Sequence, residues 1–169
     1  FTFSPIEGRV ELLCDYVARA QRDGRPLRED PVIRARIAQL LTETEVARVL
    51  AANGFTVLLT NGDTPTPTLS YAVKHQGAAG GVMITASHNP PSDNALKVYW
   101  STGGQLLPPH DAHCIRRVYE VTRIEKMPFA DGLRSGQIEY CQEEVDAAFV
   151  EAVAAQSTPG SRQLKIIYS

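Results

Sequence analysis

The 169-residue sequence is short of several things. It has three cysteines, Cys14, Cys114 and Cys141, which are widely spaced and never form a Cys-x-x-Cys pair. An odd, scattered set argues against a disulfide framework or a structural zinc site, and a reducing cytoplasm is the expected location. Long apolar runs are also missing. Stretches such as Phe55 to Leu59 and Val82 to Ile84 fall far short of the roughly 20 apolar residues that a spanning helix needs, so no membrane partner is expected. No charged-then-apolar signal opens the chain, and an unexported, soluble protein is the expectation. Nor is there an excess of positive charge: 17 Lys and Arg face 19 Asp and Glu, a formal net charge of −2. Without surplus cations to neutralise a phosphate backbone, nucleic acid is not an expected partner.

What is present is ordinary globular material, 43% hydrophobic and 21% charged, which argues against wholesale disorder. The length suits one domain, or one domain with the start of another. Val10, Leu13, Val17 and Ala20 recur at helical spacing, which predicts a helix over about 7–21, stopped by Asp23-Gly24 and Pro26. A second periodic stretch starts near Pro31 and ends at Asn53-Gly54; the pattern fits one helix or two, broken near Thr42 to Thr44. Phe55 to Thr60 is β-rich, and a short helix with Pro67 in its first turn follows. Gly81 to Thr85 and Ala95 to Trp100 read as strands, the second placing Ala95, Lys97 and Tyr99 on one face and Leu96, Val98 and Trp100 on the other.

Gly103-Gly104 marks a turn and Asp111 to Val121 a helix, with Ile115, Val118 and Tyr119 as its apolar side. Residues 125–137, holding Pro128, Gly132 and Gly136, read as a linker or irregular segment. Beyond them Val145, Phe149 and Val153 mark an amphipathic helix, and Leu164 to Tyr168 a strand. Helices alternating with strands predict an α/β fold, a layered mixed sheet with helices on both faces.

The stretch Thr85-Ala86-Ser87-His88-Asn89-Pro90-Pro91 carries the chemistry. A buried strand delivers these polar groups to its exposed end, where α/β folds place ligands. Two prolines stiffen the loop, and fixed geometry suits group transfer. Ser87 is the candidate for a covalent role. A phosphoserine brings roughly −1.5 to −2 charges and needs donors and cations; His88, Asn89 and Lys97 can supply them. Read without the rest of the motif, the Ser-His pair is loop hydrogen bonding and Lys97 a solvated strand residue. His75, His110 and His113 lack carboxylates at metal-site spacing and are expected at the surface.

The whole loop, with Asn94, with Lys97 in the following strand and with the preceding Thr64-Pro65-Thr66-Pro67, resembles the phosphoserine loop of the α-D-phosphohexomutases. The resemblance covers about residues 46–120. It implies a catalytic set of Ser87 as phosphoryl carrier, Lys97 as general acid/base and His88 in support, with Thr85, Asn89 and Asn94 binding substrate or phosphate. It further implies Mg²⁺ held partly through the phosphate on Ser87, a hexose bisphosphate such as glucose 1,6-bisphosphate as activator, and interconversion of hexose 1- and 6-phosphates. Phosphoglucosamine mutase is the nearest alternative within the class, and a non-catalytic sugar-phosphate-binding or assembly module the alternative outside it. The family's Thr-Ser-Gly-x-Arg opening, its Gly-Tyr-Asp-x-Arg strand end and its Asp-Gly-Asp metal loop are not found, and neither Asp63 nor Asp93 replaces the last. The chain is therefore expected to be the first domain, residues 1–130, with a linker and the beginning of a second, residues 131–169. The remaining domains of the same protein would be its partners, it would be inactive alone, and no oligomeric state is implied.

Overall fold

A computed structural model describes residues 6–90, 93–160, 163 and 165. Helix α1, Ile6–Arg19, ends where expected, and Asp23-Gly24 does more than stop it. Both residues have positive φ, 54° and 76°, which suits the mirror-image turn favoured in two-residue hairpins. They join the short strands β1, Gln21–Arg22, and β2, Arg25–Pro26, in an antiparallel pair.

Helix α2, Pro31–Ala52, is continuous. The Asp30 carboxylate caps it by accepting from the N–H groups of Val32 and Ile33 at 2.9 and 3.2 Å, and Pro31 occupies a first-turn position where its missing N–H costs least. Thr42 and Thr44 do not break it. Their hydroxyls donate to the carbonyls of Ala38 and Leu40, both at 2.8 Å, so each side chain is satisfied inside the helix.

Strand β3, Val57–Leu59, helix α3, Thr66–His75, and strand β4, Gly80–Thr85, form a β-α-β run. Strand β5, Ala95–Trp100, returns antiparallel to β4, with Thr85 opposite Ala95 and Met83 opposite Lys97. Helix α4, His110–Glu120, buries none of its residues, and the apolar side expected from Ile115, Val118 and Tyr119 lies open.

The segment expected as linker is instead structured. It contains helix α5, Phe129–Ser135, closed by Gly136 in the left-handed region at φ 73°. Strand β6, Ile138–Tyr140, which the pattern did not reveal, pairs parallel to β3, and helix α6, Gln142–Ala155, packs on α3. Phe129 and Ile138 are at most 1% exposed and pack with Ala47 and Ala51 of α2 as the main core. Gly132 is required there, because a β-carbon would come within 2.6 Å of the Ile138 side chain. The lead-in is tied down too: Arg48 Nε donates to the Met127 carbonyl at 2.9 Å, and the Lys126 ammonium meets Glu45 at 2.7 Å.

The class is mixed α/β, with the strands joined two by two: β1 with β2, β3 with β6, β4 with β5. The three cysteines are free thiols, and burial pushes the Cys141 thiol upward, which keeps it protonated and unreactive. Among the described residues no helix is long and apolar enough to cross a membrane. Of the expected strand Leu164 to Tyr168 all but residue 165 lies outside the described residues, as do the opening Phe1 to Phe3 and Pro91.

Candidate functional site

The site begins with how β4 is held. Gly81 faces α3 so closely that a β-carbon would sit 2.6 Å from Val73 Cγ2, which lets helix and strand pack backbone to side chain. At the far side of the hairpin the Ser70 hydroxyl of α3 donates to the Gly103 carbonyl at 2.6 Å, and Gly103 turns at φ 79°. One helix thus pins both the strand that leads into the Ser87 loop and the turn that follows β5.

The faces of the hairpin follow from the register. Gly81, Met83 and Thr85 share one face with Ala95, Lys97 and Tyr99. That is the face α3 covers, and Tyr99 is 6% exposed there. Leu96, Val98 and Trp100, on the opposite face, are all exposed. Lys97 is half-buried and stands on the same face as Thr85, two residues in from the mouth of the hairpin.

At the mouth, Ser87 has φ 56°. For a residue other than glycine this left-handed conformation is sparsely populated and costs about 1 kcal/mol or more. Two contacts hold it. The Ser87 N–H donates to Thr85 Oγ1 at 2.9 Å, and the Asn89 N–H donates to the Ala86 carbonyl at 2.9 Å, closing a turn around Ser87 and His88. Ser87 Oγ lies 3.3 Å from His88 Nδ1, a contact in which either group donates according to the imidazole tautomer. The Asp93 N–H donates to the Pro90 carbonyl at 2.9 Å on the way back to β5. Ser87, His88, Asn89 and Asn94 are exposed and Thr85 is half-buried.

The structure therefore brings Ser87, Thr85 and His88 together. Among the described residues it does not bring Asn89, Asn94 or Lys97 into a hydrogen bond with the Ser87 hydroxyl. Sequence reasoning missed the positive φ at Ser87 and the part of Thr85, whose hydroxyl fixes the serine backbone. A threonine two residues before the serine was the one available signal.

The Thr64 to Pro67 segment leads from β3 into α3. Thr64 Oγ1 is within 3.3 Å of Gln142 Oε1 and 3.4 Å of the Gly62 carbonyl, and Gln142 Oε1 also accepts the Gly62 N–H at 3.2 Å. This segment shapes the turn before α3. His75, His110 and His113 are exposed as expected; His75 stacks on Tyr71 and His110 meets Trp100 edge on. No group of three or more His, Cys, Asp or Glu among the described residues could hold a metal ion. The described donors do not make a divalent-cation site by themselves.

Comparison with known proteins agrees with this geometry. Residues 35–124 match the family described as phosphoglucomutase/phosphomannomutase, alpha/beta/alpha domain I. The chain is 39% identical over 112 residues to a phosphoglucomutase of Staphylococcus saprophyticus, covering 64% of this chain and 20% of that protein. It is 47% identical over 74 residues to a glucose 1,6-bisphosphate synthase of Mus musculus, 44% of this chain and 12% of the other. Against a phosphopentomutase of Mus musculus the identity is 48% over 65 residues, 38% of this chain and 10% of the relative. The chain thus spans a fifth or less of the length of these relatives.

Proposed function

Since the chain belongs to the phosphoglucomutase/phosphomannomutase family, whose α/β/α domain I it carries, we propose that Ser87 is the phosphoryl carrier of a sugar-phosphate mutase. The observation that carries this reading is the exposed Ser87 hydroxyl on a left-handed backbone pinned by Thr85, at the end of β4. A phosphoryl carrier needs this combination: reach into solvent and a fixed direction of approach.

In the proposed cycle, phospho-Ser87 gives its phosphoryl group to the free hydroxyl of a hexose 1- or 6-phosphate. The P–Oγ bond breaks, a P–O bond to the sugar forms, the sugar's proton passes to Lys97 acting as base, and the departing Ser87 oxygen takes up a proton that it releases again on rephosphorylation. The hexose bisphosphate turns round and returns its other phosphoryl group to Ser87, while a proton goes back to the departing sugar oxygen. His88 supports the Ser87 hydroxyl, and Thr85, Asn89 and Asn94 are assigned to phosphate and substrate contacts. Mg²⁺, when bound, neutralises charge on the transferring group; this chain contributes only the phosphate on Ser87 to it.

The relatives' greater length supports a division of labour in which other domains bring the remaining metal ligands and the sugar contacts, so this chain alone is not expected to turn over. In that division residues 1–130 form the phosphoserine domain. Residues 131–169, of which β6 and α6 pack on β3 and α3, lead toward the next. The cytoplasm is the proposed location. A pentose phosphate is a second reading for the substrate, favoured by the phosphopentomutase relative.

The test is intact-mass and peptide mapping of the protein with its remaining domains after incubation with glucose 1,6-bisphosphate and Mg²⁺. One phosphoryl group on Ser87, absent from Ser87→Ala, is expected. Turnover of glucose, mannose, glucosamine and ribose phosphates should then be lost in Ser87→Ala and slowed severely in Lys97→Ala. Lys97→Arg should stay slow, because arginine keeps the charge but does not give up a proton. An unphosphorylated Ser87 would shift the reading to a non-catalytic sugar-phosphate-binding module, and undiminished turnover by Ser87→Ala would remove the central claim.

A further inference from the structure

Strands β3 and β4 each pair with one neighbour, and the edges they leave open border a common space. On β3, the Val57 N–H donates to the Gln137 carbonyl and the Cys141 N–H to the Leu59 carbonyl, so Val57 and Leu59 face β6 and the main chain of Leu58 faces away. On β5, the Trp100 N–H donates to the Gly104 carbonyl and the Leu106 N–H to the Val98 carbonyl, so those two residues point away from β4. The β4–β5 ladder is then carried by Gly81, Met83 and Thr85, which turns the main chain of Gly80, Val82 and Ile84 outward. Among the described residues no backbone partner takes the outward N–H and C=O groups of Leu58, Val82 or Ile84.

Those residues line one cleft of about 600 Å³. It reaches from Ala47 and Leu50 of α2 to Ala72 and Val73 of α3, so a helix stands over each side of the space. Its lining is mostly apolar, and Glu43 is the one charged side chain among the described residues that form it. Trp100, the only tryptophan of the protein, stands in its wall and is 45% exposed.

A small-molecule pocket offers a few convergent polar groups. This cleft offers two facing rows of strand-edge amides, which call for a third row. We propose that the cleft between β3 and β4 receives an added β-strand from another polypeptide, pairing with Leu58 on one side and with Val82 and Ile84 on the other. With a helix over each face, the guest must be apolar on both sides, a near-continuous Val, Ile and Leu run rather than an alternating one. Glu43 at the wall selects a basic residue at the guest's end. The guest is about as long as β4, and its main chain supplies the affinity, as in other strand additions.

The test uses the whole chain and the capped peptide Ac-Lys-Val-Val-Ile-Val-Arg-NH2, with Ac-Lys-Ser-Gly-Ser-Gly-Arg-NH2 as a control of equal charge. Trp100 emission is followed together with amide hydrogen exchange. The first peptide should shift the emission to the blue and slow exchange at Leu58, Val82 and Ile84 at least tenfold, leaving Gly81 and Met83 unchanged, and the control should do neither. Val82→Pro removes an outward N–H without touching the β5 ladder, and Glu43→Gln removes the charge; each should weaken the peptide about tenfold or more. Unchanged emission and exchange at millimolar peptide overturn the proposal. So does slow exchange at the three amides without peptide: if it depends on concentration a second copy fills the cleft, and if it does not the chain fills it itself.

Discussion

Ser87 carries a cost that can be read directly. Its φ of 56° places a β-carbon in the left-handed region, which costs an L-residue about 1–2 kcal/mol relative to the right-handed one. Glycine removes that cost but has more freedom to lose on folding, worth about 0.5–1 kcal/mol. The midpoints of these two ranges leave Ser87→Gly about 0.75 kcal/mol more stable than Ser87→Ala. Both variants lose the contact with His88 Nδ1, and that exposed contact cancels in the comparison. At this chain length 1 kcal/mol moves a melting midpoint by about 2–4 °C, so the glycine variant should melt about 1–4 °C above the alanine variant. Parallel thermal and urea melts of the two proteins measure it. A glycine variant that melts at or below the alanine variant would refute the reasoning, because it would mean the loop does not hold residue 87 left-handed.

Other outcomes follow from the same geometry. Phe129 is 0% exposed in the main core, so Phe129→Ala should cost roughly 3–5 kcal/mol in a urea melt. An unchanged midpoint would return residues 125–137 to the status of a linker. Burial pushes the Glu43 carboxyl above its ordinary range, against the opposing pull of the Gln39 amide and of Arg36. A raised carboxyl favours the folded state below its unfolded pKa, and that advantage is lost as pH rises through the folded value. Glu43→Gln should therefore melt at or above the parent at pH 7 and lose any advantage near pH 4. A lower melting point at pH 7 would show that the charge is stabilising there.

What the sequence disclosed and what it hid have physical reasons. The Ser87 loop was legible because its residues are chemically dense and lie between two strands of clear pattern. Helix α2 was legible as apolar periodicity but not as one piece, since Thr42 and Thr44 look like breakers until their hydroxyls are seen satisfied inside the helix. Residues 125–137 were misread as a linker because α5 is seven residues long, contains Gly132 and is bracketed by Pro128 and Gly136. The glycine that looked like a breaker is there so that Ile138 can approach. Strand β6 has three residues, two of them exposed, too few for a period of two to register. The alternation in β5 was plain, but which face would be covered depends on where α3 sits, a tertiary fact that no local pattern records.

The left-handed serine also bears on how position 87 can drift. If the shape of the loop were all that mattered, the backbone would be better served by glycine, asparagine or aspartate, the residues that adopt this conformation most cheaply. Every replication would then offer substitutions that improve folding. With Ser87 as the proposed phosphoryl carrier, position 87 is one where the demands of fold and of chemistry pull in opposite directions. The residue that occupies position 87 in any descendant of this chain therefore reports which of the two has prevailed.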